Sequence, residues 1–464
     1  MHSIRIFGHY MRLPLLLLAL AEAVLFGAAF ILGQHLRFWL MGSEETTQPL
    51  ILVGYALFVA LIFTLSMAAM GLYEASAREG LNGLLIRILV SLIFGSAILA
   101  ALAFLFPGLE FWRSILVLTV ILAFIVVAGL RVTIYHARPW LFRRRVLVLG
   151  AAEIVDEVLE AGADDILVAG VVPATDMDLT STLHPEWMIA HDRPLLQIAL
   201  ECQADEILLA VRDRRGTLPM EELLDCRMSG IQVLQPQSFF ERELGVVKLD
   251  LLNPSWLLHA DGFKHGAMTM LIKRVLDVLT ALVFLILFSP VMLLTALAIA
   301  VESRFRHPVF YRQVRVGING LPFEVLKFRS MRMDAESDGK ARWATKGDPR
   351  ITRVGRFIRK TRIDELPQVI NVLKGEMSFV GPRPERPEFV AELLQKNFFY
   401  AARSRVKPGL TGWAQLRYPY GSSEEDALRK LEYDLYYVKN HSTFMDLLIL
   451  LQTVEVVLFG KGAV

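Results

Sequence analysis

Cysteine is scarce in this sequence, and its scarcity argues against two kinds of structural site. The 464 residues contain only Cys202 and Cys226. The two lack the spacing of metal ligands, so neither a zinc site nor a disulfide framework is supported. Proteins of the cytosol keep their thiols reduced. The cysteine content therefore favours a location that faces the cytosol.

The chain as a whole also lacks an excess of charge of one sign. Its formal net charge is +2, while 54% of its residues are hydrophobic and the mean hydropathy is +0.45. This composition is too apolar for an ordinary soluble protein, so part of the chain is expected in lipid. Charge is nevertheless uneven, because residues 341–410 carry 15 Lys and Arg against 7 Asp and Glu. A basic surface of this kind suits anionic ligands.

Four apolar runs predict membrane-spanning helices. They occupy residues 13–34, 49–73, 88–108 and 114–130. Each run approaches or exceeds the roughly 20 residues that a helix needs to cross the hydrocarbon core. The first run carries Glu22 and has no small-residue cleavage site, so we expect it to stay attached rather than to act as a signal peptide. Lys and Arg near the run ends place both the N-terminus and residue 145 in the cytoplasm.

A fifth apolar run, residues 278–301, has two interpretations. It is long enough to cross the membrane, which would place everything after it outside. Pro290 lies in its middle, however, and a proline inside a helix removes a backbone donor and bends the helix. A bent helix can enter and leave the membrane by the same face. A straight fifth span with a tolerated proline is the alternative.

The middle of the chain lacks the glycines of a complete dinucleotide fingerprint. Short β-branched runs alternate there with helical ones, which predicts a parallel Rossmann-like sheet. The predicted strands are 145–149, 166–172, 206–211 and 231–235, and the predicted helices are 194–203 and 218–229. Gly150 is followed by Ala151 and Ala152, so we expect no tight pyrophosphate binding and assign a regulatory or assembly role. A nucleotide or NAD site at Gly150 is the alternative.

Residues 360–388 contain an acidic pair, Asp364 and Glu365, in a strongly basic setting. Apolar residues at helical spacing follow the pair, with Pro367 where a first turn would fall and Gly375 where a C-terminal cap would fall. A helix is therefore predicted to begin near Asp364. Because a helix N-terminus favours negative charge, both carboxylates are expected to stay ionised at neutral pH.

Cations surround the acidic pair in the sequence. They are Arg350, Arg353, Arg356, Arg359, Lys360 and Arg362 before it, and Arg383 and Arg386 after it. A solvated charged face would explain such a run. The interleaved glycines and prolines instead favour fixed loops around a site. A carboxylate in such a site can hold a divalent metal, act as a base, or attack phosphorus, and phosphoryl chemistry would also use Mg²⁺ and guanidinium groups.

Seven ordered motifs extend from Lys273 towards the C-terminus. They are KRVLDV (273–278), SP (289–290), FYRQVRVGING (310–320), KFRSM (327–331), DPRITRVGRFIRKTRIDELPQ (348–368), NVLKGEMSFVGPRPE (371–385) and RVKPGLTGWAQ (405–415). On these motifs the C-terminal part resembles the catalytic domain of bacterial polyprenyl-phosphate hexose-1-phosphate transferases. These are monotopic membrane enzymes that begin exopolysaccharide and O-antigen assembly. The segment LDLLNPSWLL (249–258) is similar to segments of exosortase-linked exopolysaccharide systems.

The resemblance implies a fold that combines membrane α with α/β parts. A four-helix transmembrane bundle would occupy residues 1–136, a Rossmann-like cytoplasmic domain 137–260, and a monotopic α-rich catalytic domain 261–464. The last would include a re-entrant helix at about 268–303, bent at Ser289 and Pro290. The implied location is the bacterial inner membrane with the active site on the cytoplasmic face. This favours the re-entrant interpretation of the fifth run, because nucleotide sugars are cytoplasmic.

The resemblance also implies residue roles and partners. Asp364 would attack the β-phosphate of a UDP-sugar and release UMP, Glu365 would bind Mg²⁺ with Asp364 beside it, and undecaprenyl phosphate would then take the sugar phosphate. The family's phosphate-binding arginines match Arg359 and Arg383. By location we add Lys327, Arg329, Arg405 and Lys407 as contacts to nucleotide or phosphate. For each cation an ordinary salt bridge is the alternative. Membrane lipid is an implied partner, a homodimer is compatible with the resemblance, and no nucleic acid is expected.

The sequence allows two other functional hypotheses and departs from the family pattern at one position. A non-catalytic membrane scaffold with a nucleotide-sensing middle domain is the main alternative. An oxidoreductase built on the middle domain is disfavoured by the broken fingerprint and by the lack of an evident Tyr-x-x-x-Lys site. His441 stands where relatives often have tryptophan, and we expect it to be packed or solvated rather than chemical.

Overall fold

The computed structural model describes most of the chain. The described residues are 3–6, 9–42, 48–73, 81–106, 113–141, 144–150, 154–162, 166–174, 185–211, 218–252, 262–263, 266–333, 335, 348–418, 421 and 423–458.

The N-terminal part consists of a short antiparallel strand pair followed by four long apolar helices. The strands are β1 (Ser3–Ile6) and β2 (His9–Arg12), and the helices are α1 (Leu13–Met41), α2 (Pro49–Ala69), α3 (Leu81–Leu105) and α4 (Arg113–Leu141). All four helices are long and apolar enough to span a membrane. They coincide with the four predicted apolar runs, so the presence of several apolar helices near the N-terminus is confirmed.

The four helices pack around one buried apolar cluster, and a buried ion pair lies among the same helices. Phe26, Phe63 and Leu92 are among the apolar side chains of the cluster. Glu22, the charge that interrupts the first apolar run, accepts hydrogen bonds at 2.6 Å from Arg131 Nε and at 2.6 Å from the Tyr73 hydroxyl. Buried charges inside apolar helices are costly unless they are paired, so this contact explains why Glu22 is tolerated.

The middle of the chain forms a four-stranded parallel sheet with the order β4-β3-β5-β6. Its strands are β3 (Arg144–Gly150), β4 (Ile166–Val172), β5 (Glu206–Ala210) and β6 (Gln232–Leu234), and its helices are α5 (Ile154–Gly162), α6 (Leu195–Glu201), α7 (Met220–Met228) and α8 (Pro236–Glu243). The predicted strands and helices are thereby confirmed. Apolar clusters cover both faces of the sheet, and the cysteines are free, with Cys226 buried in one cluster.

Packing within the sheet accounts for the glycine that ends β3. Gly150 has φ +113°, and a Cβ placed on it would lie 2.8 Å from the carbonyl oxygen of Ala210. Only glycine tolerates both the conformation and the close approach. The alanines at 151 and 152 lie outside the described residues, so the predicted loss of dinucleotide binding stays a prediction.

The C-terminal part begins with a 36-residue apolar helix, α9 (Ala267–Glu302). Polar side chains in the first turns of α9 contact residues that follow later in the C-terminal part. Lys273 Nζ lies 2.6 Å from Asp446 Oδ2. Arg274 donates hydrogen bonds at 2.6 Å to the carbonyl oxygens of Val372 and Leu373. Asp277 Oδ1 accepts from Ser378 Oγ and Phe379 N, at 3.0 and 3.1 Å.

The last turns of α9 are fastened to the same C-terminal part. Ile299 packs against Phe328 and Ile358, and Glu302 Oε1 accepts a hydrogen bond at 3.1 Å from Val354 N. Between the two ends the helix continues through Pro290, and large apolar side chains such as Ile286 are exposed. Both ends of this apolar helix thus contact one compact unit, while its middle presents an apolar surface.

The remaining elements of the C-terminal part surround a large core. They are β7 (Phe310–Val316), β8 (Pro322–Phe328), α10 (Arg353–Lys360), α11 (Val369–Lys374), β9 (Ser378–Val380), α12 (Pro387–Lys396), β10 (Gly409–Thr411), α13 (Trp413–Arg417), α14 (Glu424–Asn440) and α15 (Thr443–Leu458), with 3₁₀ turns at Ile363–Gln368 and Phe398–Arg405. β7 and β8 pair antiparallel, and β9 and β10 pair parallel. Trp413, Tyr436 and Tyr437 are the largest buried side chains of this core.

The C-terminal part contacts both preceding parts. Trp413 Nε1 donates a hydrogen bond at 2.8 Å to the carbonyl oxygen of Gly245, and Lys439 Nζ lies 2.7 Å from Glu241 Oε1. Val454 of α15 packs against the cluster of the four N-terminal helices. His441 packs edge-to-face against Tyr437, which agrees with the packed alternative of the prediction, and its lack of a chemical role stays a prediction.

Candidate active site

A cavity of about 530 Å³ lies in the C-terminal part and is lined largely by charged side chains. Six predicted site residues line it: Lys327, Arg329, Arg359, Asp364, Glu365 and Arg383. The volume lies within the range usual for small-molecule sites. Residues separated by more than fifty positions in the sequence therefore meet at one place.

Two predicted phosphate contacts are not among the described residues that line this cavity. Arg405 is exposed at the end of the 3₁₀ turn Phe398–Arg405. Lys407 lies by Gly375 and Arg274, at the first turns of α9. Their closeness in sequence to other motif residues suggested a common site, but the core residue Val406 lies between them, and neither cation is among the described residues that line the cavity.

The acidic pair lies in a 3₁₀ turn that precedes an α-helix. The predicted helix near Asp364 is present as the 3₁₀ turn Ile363–Gln368 followed by α11, and Gly375 ends α11 with φ +87° as expected. Pro367 has no N–H to donate to an α-helical bond, which favours the tighter turn. Arg362, just before the pair, has the left-handed φ of +59°. Such strain in a non-glycine residue is held only by well-packed surroundings and is common at functional sites.

Glu365 is held by two cations from distant parts of the chain. Its Oε1 lies 2.6 Å from Arg383 Nη2 and 3.2 Å from Lys327 Nζ. Burial alone would raise the pKa of this carboxyl, but Arg383 and Lys327 outweigh burial and lower the pKa well below its usual range. Glu365 is therefore an anion throughout the physiological pH range.

Asp364 has the opposite electrostatic character. Burial raises its pKa to about 6, and the adjacent Glu365 contributes to the rise, while Lys327 and Arg359 oppose it. A pKa of about 6 still leaves Asp364 mostly ionised at neutral pH, as predicted, but burial beside a second carboxylate outweighs the favourable helix end and raises the pKa above that of an ordinary aspartate. No described residue donates a hydrogen bond to the Asp364 carboxylate, which lines the cavity. Its oxygens are thus available to a ligand.

The acidic pair fits a magnesium ion that also binds substrate. Within the described part of the chain, no group of three or more His, Cys, Asp or Glu side chains is placed to hold a metal by itself. Mg²⁺ commonly takes one or two carboxylates and completes its shell with water and substrate phosphates. No described residue donates a hydrogen bond to the Asp364 oxygens, and Glu365 Oε2 forms a long ion pair with Arg362, at 4.0 Å. The residues present fit the predicted ion.

Sequence analysis missed a second group of cavity residues on α14 and the turn before β10. Arg403 Nη2 donates to Asp434 Oδ2 at 2.8 Å and to the carbonyl oxygen of Arg383 at 2.9 Å, and Arg403 Nη1 donates to the Tyr400 hydroxyl at 2.6 Å. All of these residues line the cavity. The sequence contains one indication of this group: Asp434 follows Leu431 at helical spacing, so it lies on the apolar face of α14, where a charged residue is unusual.

A basic cavity with two carboxylates of opposite pKa shift has the composition of a phosphoryl-transfer site. A family model described as bacterial sugar transferase matches residues 268–460, which include the whole cavity. The chain belongs to this bacterial sugar transferase family.

Three relatives illustrate the match. The chain is 43% identical over 279 residues to the UDP-N-acetylgalactosamine-undecaprenyl-phosphate N-acetylgalactosaminephosphotransferase of Aeromonas hydrophila, covering 60% of this chain and 64% of that protein. It is 44% identical over 195 residues to the UDP-glucose:undecaprenyl-phosphate glucose-1-phosphate transferase of Escherichia coli, covering 42% and 41%. It is 44% identical over 193 residues to the uncharacterized sugar transferase EpsL of Bacillus subtilis, covering 42% and 90%. The chain thus spans less than two thirds of the first two relatives.

The Arg403–Asp434 pair generates a prediction about stability. Both side chains are buried, so Arg403→Met should leave the Asp434 charge unpaired and lower the free energy of unfolding by about 3–5 kcal/mol. Chemical denaturation of the full chain in detergent, followed by tryptophan fluorescence, measures the loss. The double variant Arg403→Met, Asp434→Leu should recover most of it. If the single and double variants lost the same free energy of unfolding, Arg403 would not stabilise the protein by pairing with the Asp434 charge.

Proposed function

We propose that this protein transfers a hexose 1-phosphate from a UDP-sugar to undecaprenyl phosphate, releases UMP, and thereby begins the assembly of an exopolysaccharide or O-antigen. The observation that carries the proposal is the pair Asp364 and Glu365, with opposite pKa shifts, in a cation-lined cavity. Two relatives whose names specify a UDP-sugar and undecaprenyl phosphate support this choice of substrates.

In the first step, the donor diphosphate binds among the cavity cations, with Arg329, Arg359 and Arg383 as its proposed contacts. Asp364 attacks the β-phosphorus, an oxygen–phosphorus bond forms, and the bond from that phosphorus to the bridging oxygen breaks. UMP leaves with the bonding electrons, and the sugar phosphate is joined to Asp364. A carboxylate nucleophile divides the transfer into two easier steps.

In the second step, a phosphate oxygen of undecaprenyl phosphate attacks the same phosphorus. The bond to Asp364 breaks, which restores its carboxylate and yields a polyprenyl diphosphate sugar. Mg²⁺, held by Asp364 and Glu365, would neutralise charge on the diphosphate when bound. Glu365 stays ionised through both steps because Arg383 and Lys327 hold it.

We extend the proposal to the membrane arrangement. The four N-terminal helices would form a transmembrane bundle in a domain of residues 1–136, followed by a cytoplasmic domain of 137–260 and a catalytic domain of 261–464. Helix α9 would enter and leave the inner membrane from the cytoplasm with its bend at Ser289 and Pro290. Contacts of both its ends with one unit, and the exposed apolar middle, support this path. The homodimer stays a prediction.

Replacing the nucleophile tests the reaction. Asp364→Asn keeps the size of the side chain but removes its negative charge, so UMP release from UDP-sugars with Mg²⁺ and a polyprenyl phosphate should fall at least about 1,000-fold. Mass spectrometry should find a sugar phosphate attached to the unmodified chain and none on the variant. Glu392→Gln, at an exposed position of α12, is the control and should keep full activity. Transfer at the normal rate by Asp364→Asn would refute the assignment, and absence of UMP release from the unmodified chain would favour the scaffold alternative.

The pH dependence tests the environment of Asp364. Because attack needs the carboxylate form and the pKa is raised to about 6, kcat/KM should fall as the pH drops through about 6. A cation beside the carboxylate favours its ionised form, so more Mg²⁺ should move this fall to lower pH. The Glu392→Gln control should show the same profile as the unmodified chain. A fall centred near pH 4, as for an unperturbed aspartate, with no effect of Mg²⁺, would contradict the prediction.

Cysteine labelling tests the path of α9. In a background without Cys202 and Cys226, single cysteines are introduced as Met41→Cys, Gln197→Cys and Arg306→Cys, all at exposed positions. An impermeant maleimide applied to spheroplasts should label only the first, and lysis should expose the other two. Labelling of Arg306→Cys from outside would show that α9 crosses the membrane.

A further inference from the structure

Apart from the acidic pair, the cavity-lining Asp434 has a buried carboxylate oxygen without a donor in the described part of the chain. Asp434 is 2% exposed, and both hydrogen bonds that Arg403 gives it, from Nε at 3.1 Å and Nη2 at 2.8 Å, go to Oδ2. Oδ1 is buried, and no described residue donates to it. Buried polar atoms are almost always paired, so this oxygen can accept a hydrogen bond from a partner that the described part of the chain does not supply.

The guanidinium group of Arg403 donates its hydrogen bonds to other acceptors and therefore donates none to Oδ1. Arg403 also donates to the Tyr400 hydroxyl and to the carbonyl oxygen of Arg383. Three acceptors, Asp434 Oδ2, the Tyr400 hydroxyl and the Arg383 carbonyl oxygen, thus fix the planar guanidinium group of Arg403. Burial raises the pKa of Asp434, and Arg403 opposes that rise. A donor at Oδ1 would further favour the ionised form of this carboxylate.

Asp434 belongs to the same cavity as the acidic pair. It lines the cavity together with Gln415, Tyr418 and Lys430 from α13, its end and α14. The residue that connects the two regions is Arg383, whose carbonyl oxygen binds Arg403 and whose Nη2 binds Glu365 at 2.6 Å. Asp434 is therefore connected to Glu365 through Arg403 and Arg383.

The chemistry of this end differs from that of the phosphate end. A carboxylate oxygen repels phosphate and accepts hydrogen bonds, so the ligand part that reaches it is neutral and carries an O–H or N–H group. A UDP-sugar has such groups on either side of its diphosphate, as sugar hydroxyls and as the imide N–H of uracil. We propose that Asp434 Oδ1 accepts a hydrogen bond from one of these neutral groups and so selects the part of the donor beyond its diphosphate. The identity of the donor rests on the proposed function.

A cycle that combines a protein variant with altered ligands tests this contact. For the uracil, calorimetry on the full chain in detergent compares UMP with 3-methyl-UMP, which lacks the imide N–H. For the sugar, kcat/KM compares UDP-sugars with analogues that lack a single hydroxyl. The unmodified chain should prefer the parent ligand in one arm by at least about tenfold, and Asp434→Asn should abolish that preference. If Asp434→Asn abolishes the preference for UMP over 3-methyl-UMP, Oδ1 binds the uracil imide. If it abolishes a preference among the UDP-sugar analogues, Oδ1 binds that sugar hydroxyl.

A structural role alone would weaken all ligands equally and would leave every preference unchanged. Unchanged preferences in both arms would therefore overturn the proposal. Glu425→Gln, at an exposed position of the same helix, is the control and should keep all preferences. If Asp434→Asn does not fold, Asp434→Glu, which keeps the charge but displaces the oxygen, is expected to change the same preference. Failure of the unmodified chain to release UMP would count against the proposed function, while the calorimetric arm would still test Asp434.

Discussion

The ion pairs of Glu365 with Arg383 and Lys327 hold the candidate site together. They connect strand β8, the 3₁₀ turn with the acidic pair, and the loop after β9. With Glu365 fixed as an anion, the buried Asp364 beside it is harder to ionise, which is one reason for its raised pKa. One interaction therefore both assembles the cavity wall and sets the chemistry of the neighbouring carboxylate.

The same arginine extends the network to the rest of the protein. Arg383 Nη1 donates at 3.2 Å to Gln415, and Gln415 lies on the short helix α13 that begins with Trp413. The Trp413 indole bonds Gly245 in the middle part of the chain. The cavity wall and the contact with the middle part thus share one short helix, which gives the Rossmann-like part a direct structural connection to the site.

Helix α9 illustrates how an apolar segment is combined with a polar site. Asp277 near its start and Glu302 at its end both accept hydrogen bonds from backbone N–H groups of the C-terminal part. The buried N–H of Phe379 needs a partner, which Asp277 provides, whereas the contact of Glu302 lies at the surface. The two contacts hold both ends of the helix while its apolar middle stays outside the core. This arrangement is compatible with the proposed transfer from a water-soluble donor to a lipid-bound acceptor.

The sequence by itself determined the elements and the acidic pair, because apolar periodicity, glycine caps and local motifs depend on neighbouring residues. It predicted the apolar helices, the parallel sheet, the cap at Gly375 and six residues of the cavity. Only the tertiary structure decided that Arg405 and Lys407 lie elsewhere, that the pKa of Asp364 is raised to about 6, and that Asp434 joins the cavity. Burial and charge come from elements distant in the chain, and no local pattern records how those elements pack.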